Sequence, residues 1–322
     1  MKWKDWIWPV IGLAAVAFSI WLLVDELRGI SLHELGDGLA AISWRQWLLA
    51  TLAAIAAYAA LAGYDRIALR HIGKHVNWLF VAACSFSTYA LAHNIGGSVI
   101  SGAVIRYRAY STRGLTPQDV GVLVALCSLT FALATVMLGG LLLVLQPAVV
   151  ERIQPDLPAW MGLAFGAGLL LVIAVYVFGS WLQFKPFRIA GFQFEYPRLP
   201  IVFRQLTIGP FEILAAATII YFALPAAGNP GFLTVAAVFV ASFTVAQLSH
   251  APGGLGVLEV VFIKGLPEMD EVHVLAALLV FRLLYLLIPL FVSIILVVVF
   301  ERSQLATRWA RPLPAGPGSE TK

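Results

Sequence analysis

Two short stretches carry residue types able to handle a polar or ionisable cargo in an otherwise apolar chain. One is His93-Asn94-Ile95-Gly96-Gly97-Ser98; the other is His250-Ala251-Pro252-Gly253-Gly254, followed shortly by Glu259. Both read His-x-x-Gly-Gly. Paired glycines interrupt a helix, and half-helices restarting near Gly97-Ser98 and Gly254-Leu255 would present unpaired amides and a positive dipole end, an arrangement suited to an anion. Asn94, Ser98 and Ser101 add neutral donors, Arg106 and Arg282 add cations, and Glu212 and Glu259 add carboxylates. This donor set fits a phosphate-bearing group. His93 and His250 admit three roles: a hydrogen-bonded histidine of structural value, a proton relay, or a contact to a headgroup.

The elements that must position these residues lie in a membrane. Of 322 residues, 61% are hydrophobic and 12% charged, where a soluble domain carries about 25% charged residues. The mean hydropathy of +0.89 agrees. A soluble enzyme, a secreted module and a disordered chain are excluded. The net charge of +4 reflects basic loops rather than nucleic-acid binding. Cys84 and Cys127 both fall within apolar runs, as buried small hydrophobes do, and form no disulfide framework or zinc pattern. The start, with Lys2 and Lys4 before an apolar stretch containing Trp6 and Trp8, reads as an uncleaved first span.

Six full crossings are expected, at 6–24, 44–64, 119–145, 158–180, 205–225 and 273–300. The regions 77–105 and 231–264, which hold the two glycine pairs, are long for one crossing and short for two. The distribution of Lys and Arg decides between topologies. If both regions cross once, ten basic residues fall on each side. If both enter and return, sixteen fall on the side of the N-terminus and four opposite. The fold expected is therefore an all-α polytopic membrane protein with six transmembrane helices, two re-entrant helical hairpins and cytoplasmic termini. Broken backbone at membrane depth must be enclosed by protein or a cavity, so the hairpin tips are the first place to look for a site.

Each glycine-pair region is preceded by one span and followed by another, and the two enter from opposite sides. Residues 44–145 and 205–300 thus read as inverted-topology repeats within one membrane domain spanning 1–300, an organisation that places a site between repeats. Three charged residues are left without an aqueous side: Glu212, Glu259 and Arg282. Charges there cost at least about 2.5 kcal/mol and normally find partners or line a pathway. Glu259 and Arg282 can meet, either as an ion pair fixing the last span or as an ionisable site in a cavity. Glu212 follows Pro210 and could line the same cavity or snorkel toward the interface. Residues 181–204, rich in Phe with Lys185, Arg188 and Arg198, read as a cytoplasmic interfacial segment, and 301–322 as a disordered cytoplasmic tail.

The combination of Asn94, Gly97, Gly102 and Arg106-Tyr107 with Pro252-Gly253-Gly254-Leu255-Gly256-Val257-Leu258-Glu259 and Phe281-Arg282 resembles the lysylphosphatidylglycerol synthase transmembrane region family, also called flippase-like membrane proteins. The resemblance covers about residues 8–300. In larger members this region is joined to a cytoplasmic domain that transfers an amino acid to phosphatidylglycerol, and the membrane part is associated with moving the product between leaflets. The chain ends 22 residues after Phe300, so a stand-alone member without the synthase domain is expected. The resemblance implies a lipid-translocating role on Asn94, Gly97, Arg106, Gly253, Gly254, Glu259 and Arg282.

No Walker-type, G-x-S-x-G or H-E-x-x-H pattern occurs. The expectation is a non-enzymatic lipid flippase or transporter of a bacterial-type inner membrane, without cofactor or metal. It would act on membrane lipids with a phosphate-bearing headgroup, with Glu212 or Glu259 as proton carriers if movement is uphill. A non-catalytic partner of a separately encoded lipid or hopanoid biosynthesis enzyme is the alternative, followed by an intramembrane lipid-modifying enzyme.

Overall fold

The computed structural model describes residues 32–95, 98–183, 187–189, 192–194, 196–249 and 256–309. These form α1 (Leu32–Ala40), α2 (Trp44–His71), α3 (Trp78–Ile95), α4 (Ser98–Ser111), α5 (Pro117–Leu145), α6 (Val149–Ile153), α7 (Ala159–Trp181), β1 (Phe187–Ile189), β2 (Phe192–Phe194), α8 (Leu199–Ala223), α9 (Phe232–Ser249), α10 (Val257–Gly265) and α11 (Glu271–Phe281). A π-helical segment, Arg282–Leu287, then joins α11 to α12 (Ile288–Trp309). Five helices are long and apolar enough to cross a bilayer: α2, α5, α7, α8 and the continuous run Glu271–Arg302. They coincide with five of the six expected spans. The sixth, 6–24, lies outside the described residues, as do Gly96, Gly97, His250, Pro252, Gly253 and Gly254.

Local chemistry sets the ends of the long helices. Ser43 caps α2 through a reciprocal box in which its amide donates to Gln46 Oε1 (2.9 Å) and its hydroxyl accepts from the Gln46 amide (3.4 Å). Thr116 and Asp119 do the same for α5 at 2.9 and 3.1 Å, with Pro117 in the first turn, where its missing N–H costs nothing. The strand pair β1–β2, antiparallel with Phe187 opposite Phe194, is an addition to the all-helical expectation and falls within the aromatic segment 181–204. α12 stays helical to Trp309, past the expected start of the tail at 301, and the rest of that segment lies outside the described residues.

The expected 77–105 and 231–264 regions are each two helices, α3–α4 and α9–α10, whose arms pack on each other. Lys74, before α3, pairs with Asp119, in the first turn of α5, at 3.3 Å, so the entry to α3 and the exit from α4 lie at one end of the helices. Arg108 pairs with Glu301 at that same face. At the other, Arg152 pairs with Glu268 at 2.5 Å, and Gln46 Nε2 donates to Leu224 O at 3.2 Å. A chain crossing once at each glycine pair would put the partners of all four contacts on opposite sides.

Packing follows the order of the elements twice. α2 precedes the first hairpin and α5 follows it; α8 precedes the second hairpin and the α11–α12 run follows it. α2 packs along α8 at the centre. The first arm of each hairpin packs on the long helix that follows the other: α3 on α12, and α9 on α5. α7 lies outside, largely exposed, and joins α5 where Gly140 and Gly166 meet. A Cβ on Gly166 would come within 2.9 Å of Gly140 O, and one on Gly140 within 3.0 Å of Gly166 O.

Candidate functional site

The end of α3 and the start of α10 both meet the last long helix at its middle. The run Glu271–Arg302 has its midpoint in the π segment, where the wider turn leaves main-chain carbonyls out of the regular helical ladder. Two are taken up by side chains from other elements. Tyr58, near the middle of α2, donates its hydroxyl to Tyr285 O at 2.9 Å, and Asn94, at the end of α3, donates Nδ2 to Leu286 O at 3.2 Å. Asn94 also donates to Ala90 O at 2.8 Å, which fixes its amide along its own helix. His93 stacks on the Tyr285 ring, whose other stacked neighbour is Phe281 (centroids 5.5 and 5.1 Å).

Tyr285 donates its hydroxyl to Glu212 Oε1 at 2.5 Å, and Tyr64 OH lies 3.4 Å from Oε2. Glu212 is buried in the middle of α8, two residues after Pro210, so it lines the interior and does not snorkel. No cation pairs with it among the described residues. Such a carboxylate is costly in its charged form unless a cation or proton arrives. Gly209 makes this approach of helices feasible: a Cβ there would sit 2.6 Å from the Ala134 methyl of α5.

Glu259, in the first turn of α10, and Arg282, at the start of the π segment, do meet. Arg282 donates Nε and Nη2 to Glu259 Oε1 at 3.1 and 2.5 Å, and both residues are buried. Glu259 Oε2 and His93 Nδ1 are buried with no hydrogen-bond partner among the described residues. Buried polar atoms are almost always satisfied. Two orphans near one helix break mark a place where a polar group can dock. Among the described residues no group of three His, Cys, Asp or Glu could hold a metal.

Among the described residues, the expectation of three charges without an aqueous side needs correcting to five. Arg106, counted with the cytoplasmic loop, is buried, and so is Asp65. Asp65 accepts from Arg106 Nε at 3.2 Å and Nη2 at 2.8 Å, from Tyr110 OH at 2.9 Å and from Cys127 Sγ at 3.5 Å, while the Arg106 guanidinium lies 4.8 Å from the Tyr89 ring centroid. Asp65 was missed because the apolar run ends at 64 while the helix continues to His71. The available signal was helical spacing: Tyr58, Leu61, Asp65 and Ala68 lie on one buried face of α2. Cys84 and Cys127 are free and buried, as expected.

The structure thus brings His93, Asn94, Glu212, Glu259 and Arg282 to the π segment and draws Arg106 into a separate cluster with Asp65. Ser98 starts α4; Gly96, Gly97, His250, Pro252, Gly253 and Gly254 fall outside the described residues. Sequence reasoning did not single out Tyr58, Tyr64 and Tyr285, which supply the hydroxyls of the site.

Residues 10–293 match the model of the lysylphosphatidylglycerol synthase TM region. The uncharacterized protein slr0712 of Synechocystis is 28% identical over 294 residues, covering 87% of this chain and 88% of that protein. The inner membrane protein YbhN of Escherichia coli is 28% identical over 253 residues, 77% of each chain. The phosphatidylglycerol lysyltransferase of Staphylococcus haemolyticus is 35% identical over 92 residues, covering 28% of this chain and 11% of that enzyme.

Proposed function

From the premise that the chain belongs to the lysylphosphatidylglycerol synthase transmembrane region family and is a multi-pass membrane protein, we propose that it moves a lipid with a polar or anionic headgroup between leaflets. The headgroup passes through a midplane site at the π segment, while the acyl chains stay in the bilayer. The observation that carries this reading is the convergence of two orphaned polar atoms, His93 Nδ1 and Glu259 Oε2, on one helix break that also holds Glu212 and Arg282. Arg282 supplies the cation for a phosphate-bearing group. Glu212, paired with hydroxyls alone, supplies a carboxylate able to take and release a proton.

In this reading the α3–α4 and α9–α10 hairpins re-enter the membrane from opposite sides, as inverted repeats around the site. The four loop contacts and the exchanged packing of hairpin arms support it. The protein is not an enzyme, and it sits in an inner membrane with both termini cytoplasmic; the name of its Escherichia coli relative supports that location.

The test is leaflet exchange of labelled anionic and zwitterionic lipids in liposomes holding the purified protein, with and without a proton gradient. Exchange faster than in empty liposomes is expected, and loss of it in Glu259→Gln and Arg282→Ala proteins that remain monodisperse. Exchange equal to empty liposomes under every gradient refutes the proposal.

A further inference from the structure

A second feature lies beside the midplane site and is not used by it. A cavity of about 320 Å³ is walled by Phe80, Cys84 and Leu91 of α3, Ile105 and Ala109 of α4, and Leu296 of α12. Its lining is almost wholly apolar. It opens sideways, because Leu296 and Val299 both line it and both are exposed on the face of α12 that also carries Ile295 and Val292. In a membrane-crossing helix that face meets acyl chains, so what enters sideways is hydrocarbon.

The dimensions agree with one chain of one leaflet. Phe80 and Leu91 are eleven residues apart on α3, or about 16 Å at 1.5 Å per residue. One leaflet contributes about 15 Å of a hydrocarbon core about 30 Å thick. Leu91 packs with Leu290, closing the inner end one helical turn before Asn94.

The mouth is charged. Arg108 of α4 reaches across to Glu301 of α12 as a two-pronged pair, with Nη2 to Oε2 at 2.6 Å, and both residues line the cavity. Arg113 places its guanidinium 4.4 Å from the centroid of the Phe80 ring, which forms the outer wall. Among the described residues, two guanidinium groups thus stand at the mouth with one carboxylate. The guanidinium fork that holds a carboxylate fits a phosphate equally well. The Arg108 side chain is about half exposed (52%), and ion pairs of that exposure contribute little, so a phosphate can replace Glu301 at small cost.

We propose that this groove binds an anionic glycerophospholipid of the leaflet on the Arg108 face, one acyl chain lying along α3 and the phosphate held by Arg108 and Arg113. The groove is asked only to hold lipid. Its site therefore stands whether or not the protein exchanges lipid between leaflets, and leaflet exchange absent with lipid binding intact would refute transport alone.

The test is native mass spectrometry of the full-length protein in detergent, titrated with phosphatidylglycerol, phosphatidylcholine or glycerol phosphate. Phosphatidylglycerol should bind about tenfold more tightly than phosphatidylcholine, and glycerol phosphate not measurably. Arg108→Gln should bring phosphatidylglycerol to the phosphatidylcholine level. Ala109→Phe and Ala83→Phe, which fill the groove from different walls, should each weaken both lipids at least about tenfold, and Leu171→Phe on the exposed face of α7 should change neither. Equal binding of the two lipids by the wild type overturns the proposal. So does undiminished lipid binding by both filling variants while they retain the wild-type helical content. Binding of glycerol phosphate as tight as that of the lipid would show a surface anion patch, and a changed monomer–dimer balance with lipid binding intact would show a protein interface; either overturns it too.

Discussion

Asn in place of Asp65 would remove one charge from a fully buried pair while leaving its shape. Asp65 is inaccessible and Arg106 is 3% exposed, and Tyr110 can still donate to the amide oxygen that replaces the carboxylate. The loss is therefore concentrated on Arg106, left as an uncompensated cation, at a cost of about 3–5 kcal/mol. At about 2 °C per kcal/mol for a chain of this length, the apparent unfolding midpoint in detergent should fall by roughly 6–10 °C. Arg106→Met should fall by a similar amount, because it strands the carboxylate. The double variant Asp65→Leu/Arg106→Met removes both charges and should recover most of the loss, giving a coupling energy above about 2 kcal/mol. Midpoints follow from intrinsic tryptophan fluorescence during heating, and the double variant should keep wild-type leaflet exchange. Single variants as stable as wild type, or a double variant as unstable as the sum of the singles, would refute the assignment of Arg106 to a structural pair. So would recovered stability with lost exchange.

Glu212→Gln keeps an acceptor for Tyr285 and deletes a buried charge, so the midpoint should hold within about 1 kcal/mol or rise while proton-driven exchange disappears in the liposome assay. Tyr58→Phe strands the Tyr285 carbonyl and should cost about 1–3 kcal/mol, read as a lower midpoint. Gly166→Val forces α5 and α7 apart and should cost about 1–3 kcal/mol by the same measurement. For topology, Thr112→Cys should resist a membrane-impermeant thiol reagent in intact cells and Glu268→Cys should react; labelling at 112 from outside would sink the two-hairpin arrangement.

Much of the fold was legible because apolar length and loop charge obey physics that needs no tertiary information. Five spans fell where hydropathy put them, while the count of basic residues favours a returning path at both glycine pairs. Moving Arg106 from loop to interior changes sixteen to fifteen against four, so the count still favours a returning path. The meeting of Glu259 with Arg282 was legible for a similar reason: two opposite charges that cannot stay bare in hydrocarbon seek each other. Three things were not legible. Asp65 lay one residue beyond an apolar run, and hydropathy does not see that the helix continues. The tyrosines of the site read as ordinary aromatics, since a hydroxyl does not alter periodicity. The π segment is made of Arg-Leu-Leu-Tyr-Leu-Leu, which no propensity distinguishes from an α-helix; what marks it is tertiary, the hydroxyl of Tyr58 and the amide of Asn94 reaching its carbonyls.

That segment makes the last helix a shaft in two parts, with its angular phase stored at the middle. One residue of π-type excess displaces the phase by about 100° and the rise by about 1.5 Å relative to an unbroken α-helix. Upstream, the phase is anchored by the Asp270 cap and the packing of α11 on α8. Downstream, Glu301 faces Arg108 in the phase the excess sets. The hydrogen bonds that hold the excess in place end on Tyr58 and Asn94, whose polar heads lie where a headgroup would arrive. Loss of those two donors would leave the phase unlatched, and the distant Arg108–Glu301 contact is where the change would be read.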